Sequence, residues 1–452
     1  MRILFDLPAK STGKRAKAAA GTSEFRCVHP AVARILLRLV AQPLSDGFLP
    51  PMNVELRSNR TWLIFLCTMI LVTFGIVMVY SSSAAIAARD VHQRETAALL
   101  DEHDPDFATH VSIHSYHYLR RQVVWAMIGL VALALAYLFD YDRTRKLAVP
   151  LMAISLLLLV LVLIPGLGMV RNGARRWLGY GSVQFQVSEL AKLAMVIYMA
   201  KKMSDNPARI RQFLTGFLPL LALLGVFALL IVVEPDLGAA AVIGLIVFTM
   251  MFAAGARLVH LGTLVVLGLA FIVIAIIAEP YRVARFFAYL NPESDIRGKT
   301  WQIYQSLVTI GSGGVTGLGI GQGPQKHLFL SEAYTDFIYA IICEETGLIG
   351  ASLVAGLYVF FAVQGIRVAV AANSPYARLL AVGTTMMITI PAFINMGVVT
   401  GLLPTKGLTL PLVSYGGSSL VFNMAAVGLL MNVSRAVEIE SVPVRRLRPV
   451  FG

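Results

Sequence analysis

Long unbroken apolar runs alternate along this chain with short polar connectors. Ten runs approach the roughly 20 residues a helix needs to cross a bilayer. They lie near 61–81, 121–139, 147–165, 187–201, 214–233, 237–253, 259–278, 334–365, 377–399 and 416–433. The fourth and sixth are short. The eighth is long, and a bend is expected near Gly347. The pattern predicts an all-α polytopic membrane protein of about ten transmembrane helices. A large structured outer loop, 279–333, separates spans seven and eight. A loop that long in a compact protein tends to be functional or disordered, and this one is not of low complexity. Within it, "TWQIYQSLVTI" places Ile303, Leu307 and Ile310 on one helical face, and Gln302, Gln305, Ser306 and Thr309 around the other.

Composition supports this reading. Of 452 residues 57% are hydrophobic and 14% charged, against about 25% charged in soluble domains. The net charge of +13 falls between the apolar runs and in the N-terminal tail. That distribution suits membrane topology and anionic lipid better than nucleic acid, so no nucleic-acid partner is expected. The three cysteines, Cys27, Cys67 and Cys343, imply no disulfide framework. The expected division is a basic cytoplasmic N-terminal tail (1–58), a ten-span membrane domain (59–435) and a basic cytoplasmic C-terminal tail (436–452). No cleavable signal peptide is evident in 1–51. There "AVARILLRLV" (31–40) reads as an interfacial amphipathic helix, as part of a disordered basic tail, or as residues upstream of a start at Met52.

Basic connectors orient the chain. With the N-terminus inside, "YDRTRK" (141–146) and "KKMSDNPARIRQ" (201–212) lie inside, and 82–120, 166–186, 279–333 and 400–415 lie outside. Yet Arg171, Arg175, Arg176, Arg282, Arg285, Arg297, Lys299, Lys326 and Lys406 then fall outside. Topology gives no reason for them, so an anionic ligand is expected there.

Several residues carry competing readings. Asp295 in "NPESD" is either a general base in an outer cleft or a turn aspartate bonding its own backbone, with Glu293 as competitor. Glu189 and Lys192, three apart on a helix, form a structural pair or leave Lys192 facing a phosphate. Asp236 in "EPDLG" reads as an N-cap, and Ser418 and Ser419 as caps for span ten. Asp336, Glu344 and Glu345 could form a polar track along span eight. Asn395 and Asn423 read as interhelical glue. The glycine run 311–323 lacks the βαβ context of a dinucleotide site. It is a flexible loop or a close approach to a phosphate or sugar. The histidines of the first outer loop (92, 103, 110, 114, 117) read as solvated.

The motifs "NGARRW", "QFQVSELAKLA", "EPDLGAA", "AEPYRVARFFAYLNP", "GLGIGQGPQKHLFLSEAYTDFIYAIICEETGLIG" and "GLLPTKGLTLPLVSYGGSSL" occur in order over roughly 60–435. They resemble the SEDS (shape, elongation, division, sporulation) family. The last motif is nearer the division branch than the elongation branch, and sporulation relatives share it. The resemblance implies a ten-span, inverting peptidoglycan glycosyltransferase in the cytoplasmic membrane. It would polymerise lipid II at the outer face during septal wall synthesis. The partners implied are a class B penicillin-binding protein as transpeptidase and other division proteins. Asp295 would be the catalytic base. Arg176, Trp177, Glu189, Lys192, Arg285, Gln305, Ser306, Lys326, Glu332, Thr335, Asp336 and Lys406 would contact substrate. No cofactor is certain, and a divalent cation (magnesium or manganese) stays open. Val187, Ser331, Ile296 and Tyr334 depart from common family residues. A lipid flippase, a non-catalytic division scaffold and a ligase for another polyprenyl-linked sugar are the rival readings.

Overall fold

The computed structural model describes residues 60–98, 107–171, 174–180, 183–290, 300–324 and 333–440. Among these residues twelve α-helices follow one another: α1 (Arg60–Ala98), α2 (Phe107–Leu138), α3 (Tyr141–Leu163), α4 (Val187–Asp205), α5 (Leu218–Val233), α6 (Leu237–Ala253), α7 (Leu258–Ile277), α8 (Pro280–Leu290), α9 (Trp301–Gly313), α10 (Ile338–Ala371), α11 (Pro375–Val399) and α12 (Gly417–Glu440). Among the described residues eight helical segments are long and apolar enough to cross a membrane. Two more run across the bundle but fall short for identifiable reasons. Helix α4 carries Glu189, Lys192, Lys201, Lys202 and Asp205, and α6 has 17 residues.

Two rungs between α1 and α10 measure the apolar layer. Arg60 Nη1 donates to Arg367 O at 3.4 Å, and Ser81 Oγ donates to Glu345 Oε1 at 2.6 Å. The rungs lie 21 residues apart on α1, about 32 Å of helix, close to the roughly 30 Å of a hydrocarbon core. Glu345 therefore sits at one edge of that layer, level with Ser81, rather than at its middle. The polar track along span eight is corrected accordingly. Glu344 and Glu345 belong to the Ser81 end of α10, and Asp336 to the turn that precedes it.

The end marked by Arg60 and Arg367 carries the short basic connectors, tied by the Arg145–Asp205 ion pair at 2.6 Å. There Asn432 Nδ2 donates to Tyr137 O and Phe139 O (2.6 and 2.9 Å), and its Oδ1 accepts from Tyr141 N, which fixes the turn from α2 to α3. The core lies around α11, which packs against α4, α6, α10 and α12. Its apolar window is 72% buried, against 22% for α7.

The opposite end holds what the apolar pattern did not predict. The connector after α3 forms a three-stranded antiparallel sheet of β1 (Met169–Arg171), β2 (Ala174–Tyr180) and β3 (Val183–Gln186), with Trp177 opposite Gln186. The connector expected as the first outer loop is not a loop throughout. Helix continues to Ala98 and resumes at Phe107.

Helix α10 is broken at Gly347, whose φ of 66° is open to glycine. The glycine run fills the break. Leu318 N and Gly319 N donate to Glu344 O and Glu345 O, each at 3.0 Å, while Leu348 N and Ile349 N donate to Gly314 O and Val315 O. A Cβ on Gly317 would collide with Glu345 O. The run is thus a backbone patch on a helix, neither a free loop nor a phosphate cradle. Helix α9 forms as expected but buries another face. Ile303, Ser306, Thr309 and Gly313 turn inward, and Leu307 is 39% exposed. The inward hydroxyls are satisfied, Ser306 on Val399 O and Thr309 on Gln305 O. Gly313 allows backbone contact with Cys343.

Residues 404–416 re-enter the bundle from this end. Leu410, Leu412 and Val413 are buried. Tyr358 Oη donates to Pro411 O, and Gly75 on α1 packs directly on Val413. Gly75 lies six residues before Ser81, about 9 Å deeper. Irregular backbone at that depth is tolerated because protein surrounds it.

Candidate active site at the sheet end

Strand β2 delivers Arg176 to the connector between α5 and α6. Its Nε donates to Glu234 O at 3.0 Å, Nη2 to Pro235 O, and Nη1 lies 4.0 Å from Asp236 Oδ2. Asp236 is the N-cap expected from "EPDLG", accepting from Ala239 N at 3.1 Å. Its other oxygen accepts from Gln186 Nε2 at the end of β3. The stem of Lys406 lies over the first turn of α6. A Cβ on Gly238 would be 2.8 Å from Lys406 Cε. Burial pulls the Lys406 ammonium down to about 8; Asp236 opposes the shift, and Arg176, Arg282 and Arg285 add to it. Four cations therefore share one electrostatic neighbourhood, at a helix N-terminus that itself favours anions.

The two further arginines come from α8. Arg282 Nη1 donates to Ala275 O at 2.8 Å, which closes the end of α7, and Arg285 stacks 4.6 Å over the Tyr281 ring. Helix spacing puts both arginines on the face opposite Phe287 and Leu290, which are 61% and 53% exposed. Glu234 is fully buried, and neither carboxylate oxygen has a hydrogen-bond partner. Burial, with Asp236 nearby, pushes its carboxyl up to about 8, against the pull of Arg176. It is largely protonated at neutral pH.

Asp336 adjoins this cluster from the turn before α10. A Cβ on Gly407 would lie 2.6 Å from Asp336 Oδ2. Three consecutive carbonyls of the turn are held. Tyr334 O accepts from Tyr415 N (3.0 Å), Thr335 O from Ser414 Oγ (2.6 Å) and Asp336 O from Asn395 Nδ2 (2.7 Å). The rings of Tyr118, Tyr334 and Tyr415 close over it, with centroids 5.5–5.6 Å apart.

Arg176, Arg285, Lys406 and Asp336 are thus brought to one end of the bundle, with Thr335 beside them and Trp177 half-buried on β2. Others make contacts of their own within the protein. Lys192 Nζ and Glu189 Oε1 pair at 2.8 Å, both buried, so their charges compensate each other; Glu189 Oε2 has no protein partner. Ser306 is buried on Val399 O, and Gln305 is buried on α9. Asp295, Lys326 and Glu332 lie outside the described residues. Ser418 and Ser419 serve as bridges rather than caps. Ser418 Oγ accepts from Gln186 N, and Ser419 Oγ accepts from Asn423 Nδ2 within α12. Among the described residues no group of three or more histidines, cysteines or carboxylates could hold a metal ion. The expected site lacked Glu234 and Arg282. The available signal for both was membership of "EPDLGAA" and "AEPYRVARFFAYLNP".

The fold and this end of it define a class: a multi-pass membrane protein with a cation-rich polar site at one edge of the apolar layer. The chain belongs to the FtsW/RodA/SpoVE cell cycle protein family, whose sequence profile matches residues 106–439. It is 41% identical over 383 residues to a probable peptidoglycan glycosyltransferase FtsW of Geobacter metallireducens, covering 85% of this chain and 96% of the relative. It is 42% identical to stage V sporulation protein E of Bacillus subtilis, covering 84% and 98%. Among solved structures it is similar to a peptidoglycan synthase complex that coordinates polymerization and crosslinking (TM-score 0.63, 31% identity, 83% of this chain and 98% of that one). It is also similar to the rod shape determining protein RodA of Thermus thermophilus (TM-score 0.58, 29% identity, 83% and 96%).

Proposed function

We propose that this chain is an inverting peptidoglycan glycosyltransferase that polymerises lipid II at the outer face of the cytoplasmic membrane in septal wall synthesis. The observation that carries the reading is the surplus of cations around Lys406, with Glu234 protonated beside them and Asp236 engaged as the N-cap of α6. A lipid-linked diphosphate is the anion such a place suits. Its polyprenyl chain stays in hydrocarbon while its diphosphate sits at the edge of the apolar layer. Arginine and lysine donors hold the diphosphate and stabilise the charge it gains on leaving.

The chemistry balances as follows. The acceptor sugar's 4-hydroxyl oxygen bonds to the donor's anomeric carbon. The bond from that carbon to the diphosphate oxygen breaks, and its electron pair leaves with the diphosphate. The hydroxyl proton passes to a carboxylate, for which the family motif selects Asp295. Base and leaving group act from opposite faces of the sugar, hence inversion. A divalent cation would arrive with the diphosphate rather than in a protein cage.

The basic connectors around Arg145, Lys201 and Arg209 favour the cytoplasm for their end and for both tails, and the exterior for the sheet end. A class B penicillin-binding protein is the proposed partner, supported by the likeness to the synthase complex. The test is purified full-length chain, with and without that partner, given lipid II and scored for glycan strands. No strands under either condition, from folded protein, would overturn the reading. Orientation is checked separately with an impermeant thiol reagent on intact cells. A cysteine at exposed Gln322 should react and one at exposed Asn206 should not.

A further inference from the structure

Lys406 and Asp336 come from segments 70 residues apart in sequence, so something must fix their separation. Asn395 is placed to do so. It is buried on α11, the helix at the centre of the core, and its single Nδ2 donates both to Asp336 O (2.7 Å) and to Leu408 O (2.6 Å). One amide thus ties the turn that bears Asp336 to the re-entrant segment that bears Lys406. Ser414 reinforces the tie from the re-entrant segment. Its Oγ accepts from Leu410 N at 2.7 Å and donates to Thr335 O at 2.6 Å. The absence of a side chain at Gly407 lets the Asp336 carboxylate lie directly on that segment.

We propose that Asn395 is a positioning residue for glycan polymerisation, with Ser414 in support: its amide sets the spacing between Asp336 and Lys406, and so the shape of the place that holds the donor diphosphate. The inference rests on the proposed reading of the site, so its own readout is geometric. Misplacement by about 1 Å can cost 10²-fold in rate, and the lysine reports such a displacement by becoming exposed.

The experiment is competitive amine labelling of Lys406 across pH in the full-length chain, read by peptide mass spectrometry. Asn395→Leu keeps the volume and removes both donated bonds; Ser414→Ala removes the second tie by another route. In both, the Lys406 midpoint should rise from about 8 towards the ordinary 10.5, more in Asn395→Leu. The alkaline limb of polymerisation should move up with it, and the rate should fall by about 10–100-fold. If Asn395→Leu does not fold, Ser414→Ala alone must show the rise. Unchanged labelling in every folded variant would overturn the proposal, whatever the activity did. A midpoint rise without any loss of polymerisation would also overturn the positioning role. It would leave the glycosyltransferase reading untouched, which fails separately if unsubstituted protein makes no glycan.

Discussion

Two places in this bundle bury charge, and they handle it differently. On α4, Lys192 and Glu189 meet at 2.8 Å, one cation for one carboxylate. At the sheet end Lys406, Arg176, Arg282 and Arg285 share a neighbourhood in which Asp236 is already engaged as an N-cap. A compensated pair limits its own desolvation cost and needs nothing from outside. A surplus of partly buried positive charge is costly unless an anion arrives. The contrast teaches that charge balance, rather than burial or the presence of a lysine, marks the place in this fold that has use for a ligand.

The comparison can be broken most severely through the base that the surplus is proposed to serve. Asp295→Asn should lower lipid II polymerisation by about 10²–10⁴-fold, with binding to the transpeptidase partner retained. A near-normal rate would detach the cation cluster from base catalysis at that residue. Next in size is the compensated pair. Lys192→Met leaves Glu189 uncompensated and should destabilise the protein by about 3–5 kcal/mol, measured by thermal unfolding in detergent. Glu189→Leu combined with Lys192→Met should recover most of that. A stable Lys192→Met variant with impaired donor saturation would show the pair to be part of the ligand site.

In the surplus region the expectation reverses. Lys406→Met or Arg176→Met should cost about 10–100-fold in kcat/KM for the lipid-linked donor, the worth of one charge-assisted hydrogen bond, with little loss of thermal stability. The smallest effect is that of pH. As pH rises through about 8 the Lys406 ammonium loses its proton and its charge, and the Glu234 carboxyl loses its proton and becomes negative. Both changes lower the net positive charge, so donor affinity should weaken above about pH 8. Lys406→Arg should make that decline shallower, leaving the contribution of Glu234.

Spans were legible because hydrocarbon length is a simple constraint. The bend at Gly347, the cap at Asp236 and the pairing of Glu189 with Lys192 followed from local spacing. What sequence could not show depends on distant partners. The strand "ARRWLGY" has no alternating apolar face, because its role is to hang Arg176 over a connector 58 residues away. The glycine run pairs with a helix break some thirty residues later. Nothing in either segment announces the other. The re-entrant segment reads as an ordinary loop, since its burial is created by Gly75 and Tyr358 on two other helices. Ser306 was assigned to substrate through the family resemblance, and nothing in its own segment announces that its hydroxyl donates to Val399 O.

The patch over the break in α10 has a consequence for biogenesis. Four main-chain groups of α10 find their partners only in residues 314–319, which are synthesised before α10 itself. The segment that completes the helix has thus left the ribosome before the helix does. If the order in the chain were reversed, α10 would have to enter the bilayer before those groups had partners, at a cost for each one that reached hydrocarbon. The N-to-C order of this chain therefore matches the order of assembly that the broken helix requires.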